Sequence, residues 1–183
     1  RLLRSIAGLA RAGRDTENEA VKRREVDQAR LRSWTLLAQN REMQARVALE
    51  PDWHYERDSV TVDMQTWFAQ AQEVLFAVNW LHTLLKHTGP KLPDPLVNAF
   101  HAFREAAAKR LEKLANEFEQ QSSSAQIDSL SAVIAGFDAA LAQARDSGAA
   151  IPQQIDEIAG AMHAIRERLG QLGRRLQSVQ EQA

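Results

Sequence analysis

The chain contains no cysteine, which excludes a disulfide framework, a thiolate nucleophile and a cysteine-ligated zinc site, and which fits a reducing compartment. Glycine and proline are scarce, eight and five in 183 residues, while Ala, Leu, Gln, Arg and Glu are abundant. A sandwich or barrel needs many more turn residues, so the composition is that of helices joined by few loops. No run approaches the roughly 18 apolar residues that span a bilayer, and no signal-peptide pattern is present. A dominant charge is missing as well: 23 Lys and Arg face 24 Asp and Glu, a net charge of −1. Duplex binding needs a concentrated cationic face, so no nucleic-acid partner is expected. The balance is uneven, however. Residues 1–50 carry 11 basic and 7 acidic side chains (+4), and residues 51–183 carry 12 and 17 (−5). What is present, 44% hydrophobic and 26% charged residues, belongs to a soluble globular chain of one domain.

The motifs of common enzymes are missing too. The residues three before the histidines are Pro51, Asn79, Leu84, Asn98 and Gly160. None is acidic, so the Glu-x-x-His pairs of di-iron bundles are absent. There is no His-Glu-x-x-His, no phosphate-cradling Gly-rich loop, no dinucleotide fingerprint and no Gly-x-Ser-x-Gly elbow. His82 and His87 are five apart and do not share a helix face. Glu50 or Glu56 with His54 is a pair of titratable groups in a polar connector, too common a pattern to indicate catalysis. The chain is expected to be no enzyme and to hold no cofactor or metal.

Hydrophobic periodicity gives the organisation. A first helical stretch runs from Leu2 to Leu49 and stops at Glu50-Pro51-Asp52. A break is allowed near Ala12-Gly13-Arg14-Asp15, with Asp15 or Thr16 as a new cap. After a connector, Ser59 is the expected N-cap of a central helix. There Val60, Met64, Trp67, Ala71, Val74, Val78, Leu81 and Leu85 repeat at alternating spacings of four and three, and Phe68, Leu75, Phe76, Trp80 and Leu84 widen the apolar arc. Gly89 and three prolines at 90, 93 and 95 end it. A third helix carries Leu96, Phe100, Phe103, Ala107, Leu111, Leu114 and Phe118, and a fourth carries Ile127, Leu130, Ile134, Phe137 and Leu141. The fifth carries Ile151, Ile155, Ile158, Met162, Ile165, Leu169, Leu172, Leu176 and Val179 as a heptad seam.

The expected fold is therefore all-α, an antiparallel bundle of about five helices forming one domain over residues 1–183, with a sub-boundary allowed at 121–124. Trp67, Phe76, Val78, Leu81, Phe100, Phe103, Ile134 and Phe137 are expected in its core. The C-terminal seam either closes the bundle within its own chain or pairs two copies, in which case Ile158, Met162, Ile165, Leu169, Leu172 and Leu176 form a homo-oligomer interface. Trp34 and Trp67 with Arg41 or Arg46 offer an apolar slot and a cation for an aromatic carboxylate. Otherwise the two tryptophans pack together and the arginines are solvated.

The stretch Arg30-Leu31-Arg32-Ser33-Trp34-Thr35-Leu36-Leu37-Ala38-Gln39-Asn40-Arg41-Glu42-Met43-Gln44-Ala45-Arg46-Val47-Ala48-Leu49-Glu50-Pro51, followed by Gln65-Thr66-Trp67-Phe68-Ala69-Gln70-Ala71-Gln72, resembles the soluble helical region of the fusaric acid resistance family of inner-membrane proteins. That family includes bacterial exporters of aromatic carboxylic acids. The resemblance implies an Arg-rich helix followed by antiparallel helices at the cytoplasmic face of the bacterial inner membrane, with an assembly or regulatory role. The implied partners are the exporter's own transmembrane segments, further copies and a periplasmic adaptor subunit. The start at Arg1 leads to the expectation of a fragment of a longer membrane protein, its Arg1-Leu2-Leu3-Arg4 opening reading as the exit from a membrane helix. The alternative is a soluble scaffold or adaptor domain that dimerises through the C-terminal helix.

Overall fold

The computed structural model describes residues 1–13, 18–47, 58–88, 92–120 and 129–181. These form six helices and no strand: α1 Leu2–Arg11, α2 Glu19–Val47, α3 Asp58–Thr88, α4 Asp94–Gln120, α5 Ser129–Asp146 and α6 Ile155–Glu181. The fold is all-α as expected, but the count of five is corrected to six. The stretch from Leu2 divides at Gly13, whose φ is +74°, a backbone conformation that side chains other than glycine's rarely adopt. A Cβ there would also lie 2.6 Å from Lys22 Cγ. Asn18 then opens α2, its Oδ1 accepting from the backbone N–H groups of Ala20 (3.0 Å) and Val21 (3.2 Å). That is the work of an N-cap. The expected caps Asp15 and Thr16, the end at Glu50-Pro51, Gly89 and the boundary at 121–124 lie outside the described residues, as does the side chain of Ser59.

Three pairs of helices are seen to run antiparallel from their cross-contacts. Trp34 meets Phe76 while Arg41 reaches Gln72, pairing α2 with α3. Arg4 reaches Glu119 while Arg11 reaches Glu105, pairing α1 with α4. Arg145–Asp156 and Asp138–His163 do the same for α5 and α6. The most extensive packing is of α3 on α6 and of α1 on α4, with α5 lying on α4 and α6, and α2 on α1. α3 and α4 approach mainly through large side chains, among them the stacked rings of Trp67 and Phe118, 4.8 Å apart.

The periodic stripes meet in one cluster. Val78, Leu81, Phe100, Phe103, Ile134 and Phe137 are buried in it as expected. Two expectations are corrected. Phe76 is 44% exposed, because α3 turns Ala71, Val74, Leu75 and Val78 inward and leaves position 76 on its rim against Trp34; Trp80, one turn on, is 53% exposed. Trp67 is only half-buried and packs against the cluster. On α6, Ile155, Ile158, Met162, Ile165, Leu169 and Leu172 are buried within the chain, and α3 is the helix they chiefly face. Five of the six residues expected at an oligomer interface are thus interior; the side chain of Leu176 lies outside the described residues.

The short α1 belongs to the core: Leu2, Leu3, Ile6, Ala7, Leu9 and Ala10 are all buried. Truncation of Ile6, fully enclosed, removes contacts that nothing refills, whereas Leu31 on α2 is 69% exposed. Ile6→Ala is expected to lower the free energy of unfolding by about 2–5 kcal/mol, and Leu31→Ala to change it by no more than about 0.5 kcal/mol, both measured by urea denaturation.

Candidate functional site

The four residues of the expected aromatic-acid slot each have a partner outside that set. Trp34 takes Phe76 as its ring partner, with centroids 5.2 Å apart, and Trp67 takes Phe118. Arg41 donates to Gln72 Oε1 at 2.7 Å, and Arg46 pairs with Glu42 one turn back on its own exposed face. None of the four lines the small cavity or the cleft described below.

Two other groups of polar side chains are drawn together. The first surrounds the C-terminal end of α1. A helix end leaves carbonyls without intrahelical donors, and this one is buried between α3 and α4. Arg104, 5% exposed, donates from Nε to Ala10 O at 2.6 Å and from Nη2 to Ala12 O, while its guanidinium lies 5.7 Å from the Phe100 ring centroid. His82 Nε2 is 2.7 Å from Leu9 O. A carbonyl only accepts, so that nitrogen carries a hydrogen and donates it. Burial, helped by the nearby Arg104, pushes the His82 pKa down to about 4. A cavity of about 10 Å³ beside these groups, lined by Ala10, His82, Phe100 and Arg104 among others, is at the lower limit for one water molecule.

Along α1, its arginines meet carboxylates of α4. Arg11 forms forked pairs with Glu105 and Glu112, and Arg4 donates to Glu119 and to Asn116 Oδ1. The hydrogen bonds from Arg11 and Arg4 hold the carboxyls of Glu112 and Glu119 below the ordinary carboxylate range. These are bonds between partners that are charged at neutral pH, and the chemistry they perform is attachment.

The second group lines an open cleft of about 520 Å³ between α4, α5 and α6, formed by Arg110, Leu130, Ser131, Arg166, Glu167, Leu169, Gly170 and Arg174. Arg110 is 8% exposed and has Glu117 Oε2 at 3.8 Å. Its guanidinium crosses α6 at Gly173, where a Cβ would lie 2.4 Å from Nη2. Arg166 Nη1 is 3.5 Å from Ser131 Oγ, the outer limit of a hydrogen bond. Leu130 and Leu169 form a buried apolar floor.

Both groups carry a sequence signal that reading for motifs passes over. Arg104 lies four residues after Phe100 and three before Ala107, and Arg110 lies three after Ala107 and four before Leu114. Each is an arginine on an apolar stripe, where a charge requires a partner. His82 sits likewise between Val78 and Leu85. Among the described residues there is no group of three or more His, Asp or Glu side chains placed to hold a metal ion, and no helix long and apolar enough to cross a membrane.

The fold and its polar groups define a helical bundle with a buried helix-capping arginine and an arginine-lined cleft. No protein family matches the chain, and neither a curated protein nor a solved structure does.

The cap makes stability depend on pH. His82 in the unfolded chain has the ordinary value of 6.5, and in the fold about 4. Its neutral form is therefore favoured by folding: that contribution is complete above pH 6.5 and is lost as the pH falls towards about 4, up to about 3 kcal/mol in all. Thermal melting followed from pH 7 down to about 5, above the range where Glu112 and Glu119 protonate, is expected to show a falling midpoint that His82→Gln flattens. Arg104→Met, which leaves two buried carbonyls without donors, is expected to destabilise by about 2–4 kcal/mol at pH 7.

Proposed function

We propose that the chain is a helical domain at the cytoplasmic face of a bacterial inner-membrane exporter of the fusaric acid resistance type, with an assembly or regulatory role in the export of aromatic carboxylic acids. The observation that supports this reading is the course of the resembling stretch. Residues 30–47 lie in α2 and residues 65–72 in α3, and the two run antiparallel with Arg41 bonded to Gln72, which is the arrangement the resemblance implies. In this reading transport passes through transmembrane segments of the same protein, and further copies and a periplasmic adaptor subunit complete the assembly.

The scaffold alternative, dimerisation through α6, draws less support because Ile158, Met162, Ile165, Leu169 and Leu172 face the chain's own core. The discriminating experiment uses the complete gene in its own host. Deletion is expected to raise retention of a radiolabelled benzoate-type acid, and the protein is expected to fractionate with the inner membrane. Unchanged retention together with a soluble protein would overturn the exporter reading, and light scattering of that soluble protein would then test for the dimer.

A further inference from the structure

We propose that the rim formed by α2 and α3 rests on an anionic phospholipid surface, with Leu31, Phe76 and Trp80 entering the boundary between headgroups and acyl chains and with Arg24 and Arg32 meeting the headgroups. Such a contact goes beyond the exporter reading and does not depend on it, since it needs no transmembrane segment of this or any other chain.

The apolar part of the rim is continuous. Leu31, Phe76 and Trp80 are 69%, 44% and 53% exposed. The two helices run antiparallel with Trp34 against Phe76. At the rise of an α-helix, Leu31 lies about 4.5 Å back along α2 from Trp34, and Trp80 lies about 6 Å on along α3 from Phe76. Both displacements are in one direction, so Leu31 comes level with Trp80 and the four side chains form a strip across both helices. A contiguous exposed strip of large apolar side chains marks a surface that is covered by something else.

Charge says what covers it. The acidic side chains described on α2 and α3 are occupied: Asp27 pairs with Arg30, Glu42 with Arg46 and Glu73 with Arg168, and Glu25 accepts from the Gly13 N–H at 3.1 Å. Arg24 and Arg32 are exposed and have no partner among the described residues. Arg24 stands two turns before Leu31 on the same stripe, and Arg32 follows Leu31 on its flank. The surface that fits is therefore apolar within and negative at its border. An acidic protein could offer the same two qualities, but it would hold a tryptophan in a shaped pocket. Trp80 has neither a ring partner nor a hydrogen bond among the described residues, so the fold does not fix it for one. A fluid headgroup layer asks only for aromatic side chains at its boundary and for cations on long stems beside them.

Co-sedimentation of the protein with phospholipid vesicles tests this. Binding to vesicles of phosphatidylcholine and phosphatidylglycerol in equal amounts is expected to be at least about tenfold tighter than to phosphatidylcholine alone, and to weaken as salt is raised. Leu31→Ser with Trp80→Ser is expected to lower binding by about tenfold or more, and Arg24→Gln with Arg32→Gln to remove most of the preference for phosphatidylglycerol. Both double variants should keep the circular dichroism melt, because all four side chains stand outside the core. Arg174→Gln on α6 is the control and should bind as the unaltered protein does. Brominated lipid in the vesicles should quench the tryptophan fluorescence, and Trp80→Phe should remove most of that quenching. Absence of binding up to about 1 mM lipid, equal binding to phosphatidylcholine alone, or equal weakening by Arg174→Gln overturns the proposal. So does a lipid-free dimer in light scattering that Leu31→Ser with Trp80→Ser abolishes, since the rim would then be covered by a second copy.

Discussion

The carbonyl end of a ten-residue helix is buried in this protein, and much of the structure answers that one requirement. A helix as short as α1 is marginal in water by itself; it holds here because its apolar face enters the core and because its last carbonyls find donors. Leu9, Ala10 and Ala12 accept from His82 of α3 and Arg104 of α4. The two donors come from helices that are consecutive in the chain yet approach each other mainly through large side chains, and α1 packs against both. The capping groups therefore join three helices at one point. Leaving a buried carbonyl unsatisfied costs about 1–3 kcal/mol, comparable with the effect of a large core truncation.

Helix α4 carries charge to two of its neighbours. Towards α1 it presents Glu105, Glu112 and Glu119 to Arg11 and Arg4. Towards α6 it presents Arg110, with Glu117 beside it. The Arg4–Glu119 pair is open to solvent and fixes register more than it adds stability. The Arg11 pairs are partly enclosed, and their forked geometry admits one alignment of α1 along α4. The bundle is thus held by apolar stripes whose relative positions are set by a few polar contacts between specific residues.

Much of this was legible in the sequence. The four-three spacing from Leu96 to Leu114 and from Ile155 to Leu172 places the buried faces of α4 and α6, and the stripe Leu2, Ile6, Leu9 is the buried face of α1. What spacing does not contain is which stripe faces which. Phe76 and Trp80 fit an apolar arc, yet α3 keeps them at its rim because its inward positions already meet α6 and α1. Trp34 and Trp67 stand on adjoining helices but are paired by the fold with Phe76 and Phe118, partners distant in sequence. The division at Gly13 needed knowledge of its backbone conformation, since glycine within a charged stretch is equally consistent with a continuous helix. Arg104, Arg110 and His82 were readable as polar residues on apolar stripes, but the three backbone carbonyls that Arg104 and His82 meet at the end of another helix, and the gap at Gly173 that admits Arg110, leave no trace in residue type.

If the buried cap makes α1 an integral part of the bundle, its amides and those of α4 must open together. Native-state hydrogen exchange in increasing urea measures this directly. The amides of Ile6 through Ala10 are predicted to exchange with the same free energy and the same denaturant dependence as those of Ala107 through Leu111. Exchange of α1 at a much lower free energy, with α3, α4 and α6 still protected, would contradict the account.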